Sequence, residues 1–203
     1  MKSLDALPPA LRRALLLLAL LLVPRPAGAQ APAVTATLPR DIVEARVLMA
    51  LPAALPTGMM TGIDAAFTRS WRRWLAWGVR ASWATATEYT PSWSVRDDDI
   101  RLRVVGVLHH QVGRATLALR LGLGGTVVHE GRTRSQGARA GLTGDALETS
   151  TWAFLPAMEL EPTVVMRIIG GWGLSLSGGP SLHIVNRHAN WGWISAVGIA
   201  WQR

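Results

Sequence analysis

Residues 101–128 read R-L-R-V-V-G-V-L-H-H-Q-V-G-R-A-T-L-A-L-R-L-G-L-G-G-T-V-V, and how this stretch folds decides how the rest of the chain folds. In its second half Leu117, Leu119, Leu121 and Leu123 hold odd positions. Thr116, Ala118, Arg120, Gly122, Gly124 and Thr126 hold even ones. A period of two is that of a β-strand, whose successive side chains point to opposite faces. In the first half Leu102, Val104, Gly106 and Leu108 are even, against Arg101, Arg103, Val105, Val107 and His109. A two-residue turn at Gly113-Arg114 joins the two strands into a hairpin. Such a turn pairs Val112 with Ala115, so paired positions sum to an odd number and the two apolar faces coincide. The other face, rich in Arg, Thr and Gly, is too small and too polar for a soluble core. The leucines are therefore expected to face lipid.

The alternation extends along the chain in both directions. It predicts strands over residues 41–49, 60–71, 74–87, 148–161, 164–177 and 191–201, which with the central hairpin makes eight. A short helix is a competing reading of 41–49. Tight turns are expected near residues 72, 113 and 162, the last at Pro162. Long loops are expected at 50–59, 88–99, 129–147 and 178–190. Long and short connections then alternate, with both chain ends on the short side.

Composition narrows the class. Hydrophobic residues make up 49% and charged residues 17%, a charge-poor balance beside the roughly 25% of an average globular domain. After residue 24 no apolar run approaches the roughly 18 residues of a spanning helix, so the hydrophobicity is spread over alternating strands. The absence of cysteine excludes disulfides and thiolate metal sites. The formal charge is +8, but the arginines are scattered through the strands, which argues against a continuous nucleic-acid footprint.

Residues 1–29 have the pattern of a signal peptide: Lys2, Arg12 and Arg13, the apolar run 14–23, Pro24 and Pro26, then Ala27-Gly28-Ala29. Cleavage is expected before Gln30. Residues 30–40 read as a flexible lead-in, and 41–203 as the barrel domain.

A soluble β-sandwich or lipocalin-like barrel turns its apolar face inward and a charged face to water. Here the second face is mainly Gly, Ala, Ser and Thr, which suits the narrow lumen of an eight-stranded barrel. Trp71, Trp74 and Trp201 fall at the tight-turn end, and Trp83, Trp152, Trp191 and Trp193 near the long-loop end. Indole is apolar with one N–H donor and favours the headgroup boundary, so these residues are expected to form two interfacial girdles. Trp77 and Trp172 read as nearer mid-strand. Leader, strand number, loop asymmetry and girdles together resemble the small OmpA/OmpX-like outer-membrane β-barrel class. The resemblance implies an eight-stranded antiparallel up-and-down transmembrane barrel of the bacterial outer membrane. It also implies insertion by the barrel-assembly machinery and contact with outer-membrane lipid and lipopolysaccharide; a monomer is expected.

Charges on the lumen face must be paired. Asp64, Arg80, Arg120, Glu159, Glu161 and Arg167 are expected to form an Arg–carboxylate network that plugs the barrel, with Glu44 and Arg46 on the same face. Pairing of Ser70 with Ala76 would put Asp64 diagonally beside Arg80, and a turn at Pro162 would put Arg167 opposite Glu159. Nothing points to catalysis, a metal or a cofactor. His109 and His110 alternate to opposite faces. His183 and His188 share a predicted loop with no carboxylate near them. Asp97-Asp98-Asp99 reads as a solvated, ion-attracting loop. His188-Ala189-Asn190 resembles the H-S-N stretch of lipid A deacylases, but Ala189 stands where their nucleophilic serine would be. The functional expectation is a structural, anchoring or surface-interaction barrel. A narrow conduit for small or hydrophobic solutes and a soluble periplasmic ligand-binding barrel are the alternatives.

Overall fold

The computed structural model describes residues 40–51, 58–135 and 148–203. The expected leader and, apart from Arg40, the lead-in lie outside the described residues. Eight strands follow one another: β1 (Asp41–Leu51), β2 (Met60–Arg72), β3 (Leu75–Tyr89), β4 (Trp93–Val112), β5 (Ala115–Arg134), β6 (Glu148–Ile169), β7 (Trp172–Val185) and β8 (His188–Gln202). Each pairs antiparallel with the next, and β8 closes on β1. Following aligned neighbours once round leaves β1 at Asp41, passes Arg69, Trp77, Gly106 and Leu121, and returns to β1 at Leu51, ten residues on. That offset is the stagger a closed barrel of tilted strands requires.

Burial is inverted relative to a soluble protein. Ile63, Leu102 and Val104 are each about two-thirds exposed, whereas Arg103 and Glu44 are 1% exposed. The even-to-odd pairing of the opening hairpin is present as expected: Leu102 aligns with Gly125, Val104 with Leu123, and Arg103 with Gly124. Gly124 lies on the lumen side, where a Cβ would stand 2.0 Å from the carbonyl oxygen of Leu102. A larger residue there would force β4 and β5 apart.

Three expected boundaries are corrected. Pro162 is not at a turn: β6 runs through it to Ile169, and the chain reverses at Gly170-Gly171, where Gly170 has φ +55°. Pro162 is tolerated within the sheet because the β6–β7 ladder has no pairs between Glu159–Ser181 and Thr163–Ser177, where Pro180 also lacks an N–H. Residues 178–190 are not a long loop either. They continue β7 into a two-residue turn at Asn186-Arg187, both at positive φ, and then β8. Paired positive φ values are what a tight hairpin needs to match strand twist. Finally, 88–99 and 129–134 are mostly strand, and only Thr90–Ser92 separates β3 from β4. The alternation of long and short connections is thus weaker than expected.

Candidate functional site: the lumen and its two rims

The lumen faces of β1 to β6 supply one to three charges each, β7 adds serines, and closure brings them together. Arg46 of β1 donates from Nε and Nη2 to Asp64 Oδ1 of β2 at 3.0 and 2.7 Å, and from Nη1 to Glu161 Oε1 at 3.1 Å and Ser177 Oγ at 2.9 Å. Arg80 of β3 donates to the other oxygen of Asp64, and reaches Glu161 at 2.7 Å and Glu159 at 3.2 Å. Ser70 does align with Ala76, which leaves Asp64 and Arg80 diagonal neighbours. Arg120 pairs with Glu44, which also accepts from Ser175. Towards the loop end Arg103 binds Glu159 at 3.1 Å and Thr126 at 2.7 Å, and Arg101 holds Asp99 at 2.6 Å. These five arginines and five carboxylates are all at most 4% exposed. Balanced charge and shared hydrogen bonds are the condition for burying so many ions.

Apolar side chains fill the lumen on both sides of this layer. Leu48, Ala50, Met60, Ala84, Ile194 and Ala196 cluster towards the loop end. Ile42, Val165 and Ala200, and separately Ala76, Val105 and Val107, cluster towards the chain termini. Within the network the space among Arg80, Val105, Arg120, Gly122, Glu159 and Glu161 is too thin to seat a water molecule.

Of the residues singled out from sequence, Asp64, Arg80, Arg120, Glu159 and Glu161 meet in this network, with Glu44 and Arg46. Arg167 does not. Because β6 extends past Pro162, Arg167 sits beside the Gly170-Gly171 turn, partly exposed, aligned with Gly173. The network also holds Arg101, Arg103 and Asp99, which are additions to the set expected from sequence. Asp97, Asp98 and Asp99 lie on β4 and are not a solvated loop. Alternation already present from residue 97 places Asp97, Asp99, Arg101 and Arg103 on one face, and that is the signal in the sequence that marks them.

Asp98 takes the outer face, level with Thr85 and His129. It accepts from Arg96 at 3.0 and 3.2 Å and from Trp83 Nε1 at 3.3 Å. Partial desolvation pushes its carboxyl up, but hydrogen bonds from Arg96 and Thr85 and the Arg96 charge outweigh that and hold it below its ordinary range. The neighbouring His129 ring packs at 4.2 Å on Trp152. His183 is buried in the lumen while His188 is exposed at the start of β8. Among the described residues no cluster of three or more His, Asp or Glu could hold a metal.

All the expected girdle tryptophans are on the outer surface. Trp71, Trp74 and Trp201 lie at the termini end; Trp83, Trp152, Trp191 and Trp193 lie on the loop-end half. Trp172 is corrected from mid-strand: it opens β7 and aligns with Trp201.

No protein-family model matches this chain, and no curated protein sequence matches it. Solved structures do. Neisserial surface protein A is 11% identical with a TM-score of 0.53, covering 80% of this chain and 97% of that one. A major outer membrane protein from Thermus thermophilus is 9% identical with a TM-score of 0.58, covering 80% of this chain and 99% of that one. The likeness at these identities is one of fold: the chain folds, like them, as an up-and-down β-barrel, here of eight strands.

Proposed function

We propose that the protein is a bacterial outer-membrane β-barrel that acts as an anchor and surface-interaction module, without enzymatic activity or cofactor, working as a monomer in contact with outer-membrane lipid and lipopolysaccharide. The observation that carries this reading is the pairing of a filled lumen with a sheet that outgrows the barrel. Pairing of β2 with β3 ends at Thr61–Thr85, and pairing of β6 with β7 begins at Ala157–His183. Between them β3–β4 pairing runs on to Tyr89–Ser94, and β5–β6 pairing to Thr133–Glu148. The upper parts of four strands thus extend past the pairing of their outer neighbours, with Trp152 on the outer face of the extension. Arg134 packs 4.1 Å over the Trp93 ring within this extension. Such a sheet offers polar surface and open strand edges to a partner. A barrel sealed by paired charges and apolar plugs offers no path for solute.

Two measurements test the proposal. Fractionation should place the chain in the outer membrane with heat-modifiable gel mobility; recovery in the soluble periplasm without detergent would overturn it. Planar-bilayer recording should show no single-channel steps; steady conductance would favour the conduit reading instead.

A further inference from the structure

We infer that the termini-end rim of the barrel is a binding surface for anionic glycerophospholipid headgroups in the leaflet it faces, an inference that rests on the membrane reading above. The charges of the described residues divide unevenly by height. In the lumen five arginines balance five carboxylates. At the loop end Arg96, Arg132, Arg134 and Arg187 stand among Glu88, Asp97, Asp98, Glu130 and Glu148. At the termini end seven arginines stand with one described side-chain carboxylate, Asp41.

These arginines form a ring. Arg72 and Arg73 sit at the β2–β3 turn, and Arg114 at the β4–β5 turn. Arg167 precedes the β6–β7 turn, while Arg40 and Arg203 meet where the backbone of β1 pairs with the chain end. Every connection at this end therefore carries at least one. Arg69 completes the set on the outer face, where it is 3.6 Å from Asp41. No other ion pair engages the ring among the described residues.

The position of the ring identifies its partner. Arg72 lies 5.5 Å over the ring of Trp71, which is 70% exposed on the outer wall. Trp74, Trp172 and Trp201 mark the same level. Guanidinium groups beside interfacial indoles stand where lipid phosphates are, and the planar fork matches a phosphate in two hydrogen bonds. A ring of cations at that height attracts anionic headgroups additively, and salt screens the attraction. Nucleic acid is a poorer fit, because the groups circle a barrel end about the membrane plane and do not line one continuous face.

The test reconstitutes the protein in phosphatidylcholine vesicles and measures the share of motionally restricted lipid with spin-labelled phosphatidylglycerol and spin-labelled phosphatidylcholine. Wild type should hold phosphatidylglycerol severalfold more strongly. The preference should fall towards parity in R72Q/R73Q/R114Q and at high salt, and persist in R187Q at the opposite end. Parity in wild type, or an undiminished preference in the triple variant, would overturn the inference. Should the triple variant fail to insert, the salt titration of wild type decides, an unscreened preference overturning the inference. Insertion is scored separately by heat-modifiable mobility in pure phosphatidylcholine: failure there removes the membrane reading and the ring with it, whereas insertion without a phosphatidylglycerol preference removes only the ring.

Discussion

The lumen and the termini-end rim use the same side chain under opposite conditions. Inside, Arg46, Arg80 and Arg103 each touch a carboxylate, because a guanidinium removed from water without a counter-charge is too costly to keep. At the rim Arg73, Arg114 and Arg203 stand exposed, with solvent in reach. An arginine's structural weight here is set by what replaces its hydration and not by its charge. Substitutions that ignore this should have opposite outcomes in the two places.

The comparison breaks most visibly at Arg80, which serves Asp64, Glu159 and Glu161 together. Arg80→Ala leaves buried carboxylates without their cation and should cost about 3–5 kcal/mol. The check is the urea midpoint of barrel unfolding in detergent or vesicles; an unchanged midpoint would mean that the network is not what holds the lumen shut. The reverse experiment adds an arginine where neither water nor carboxylate is available. Leu123 is half exposed on the outer face, opposite Val104, and on the proposed membrane reading Leu123→Arg should cost about 2–4 kcal/mol, read from the same unfolding curve in vesicles.

A smaller effect is expected at Asp98. Its folded pKa is depressed, so its hydrogen bonds to Arg96 contribute stability that is fully present above the unfolded carboxylate value and lost as pH falls through the folded one. Wild type should lose loop-end stability below about pH 4, and Asp98→Asn should flatten that part of the profile, followed by Trp83 fluorescence. The smallest effect belongs to the rim. Arg167→Ala should shift the unfolding midpoint by no more than about 0.5 kcal/mol; a loss comparable to that of Arg80→Ala would place Arg167 back in the network.

How much of this can be read from the chain follows from parity. Apolar alternation identifies the outer face of the strands, because each strand of a barrel keeps its period of two regardless of partners. The membership of Asp64, Arg80, Arg120, Glu159 and Glu161 in the lumen follows from it. The β6–β7 reversal does not. A two-residue turn ordinarily exchanges even and odd positions between strands, but the register shifts between Arg167 and Ile169 and restores them. The pattern from Val164 to Leu176 therefore runs across Gly170-Gly171 unbroken, and Pro162 draws the expected turn to itself. That single displacement is what brings Arg167 opposite Glu159 on paper. Residues 97–99 mislead for another reason: three successive aspartates resemble a solvated run, although Asp97 and Asp99 share a face of β4 with Arg101 and Arg103, and Arg101 pairs with Asp99 from the same strand.

The ten-residue offset on returning to β1 has a consequence that belongs to arithmetic more than to energy. A path round the wall exchanges even and odd positions at four seams, β3–β4, β4–β5, β5–β6 and β7–β8, and preserves them at the other four. Four exchanges cancel, so lumen residues of β8 meet lumen residues of β1. With an odd number, Glu44 would be carried to the outer side of the closing seam. A one-residue deletion inside a strand changes parity at both of that strand's seams at once, so the count stays even. The circuit still closes, but beyond the deletion that strand turns its lumen residues outward unless a bulge in the same strand restores them. A shift at a tight turn alters one seam alone, and the two register shifts the chain carries, beside Arg72 and Arg167, keep the count even as a pair.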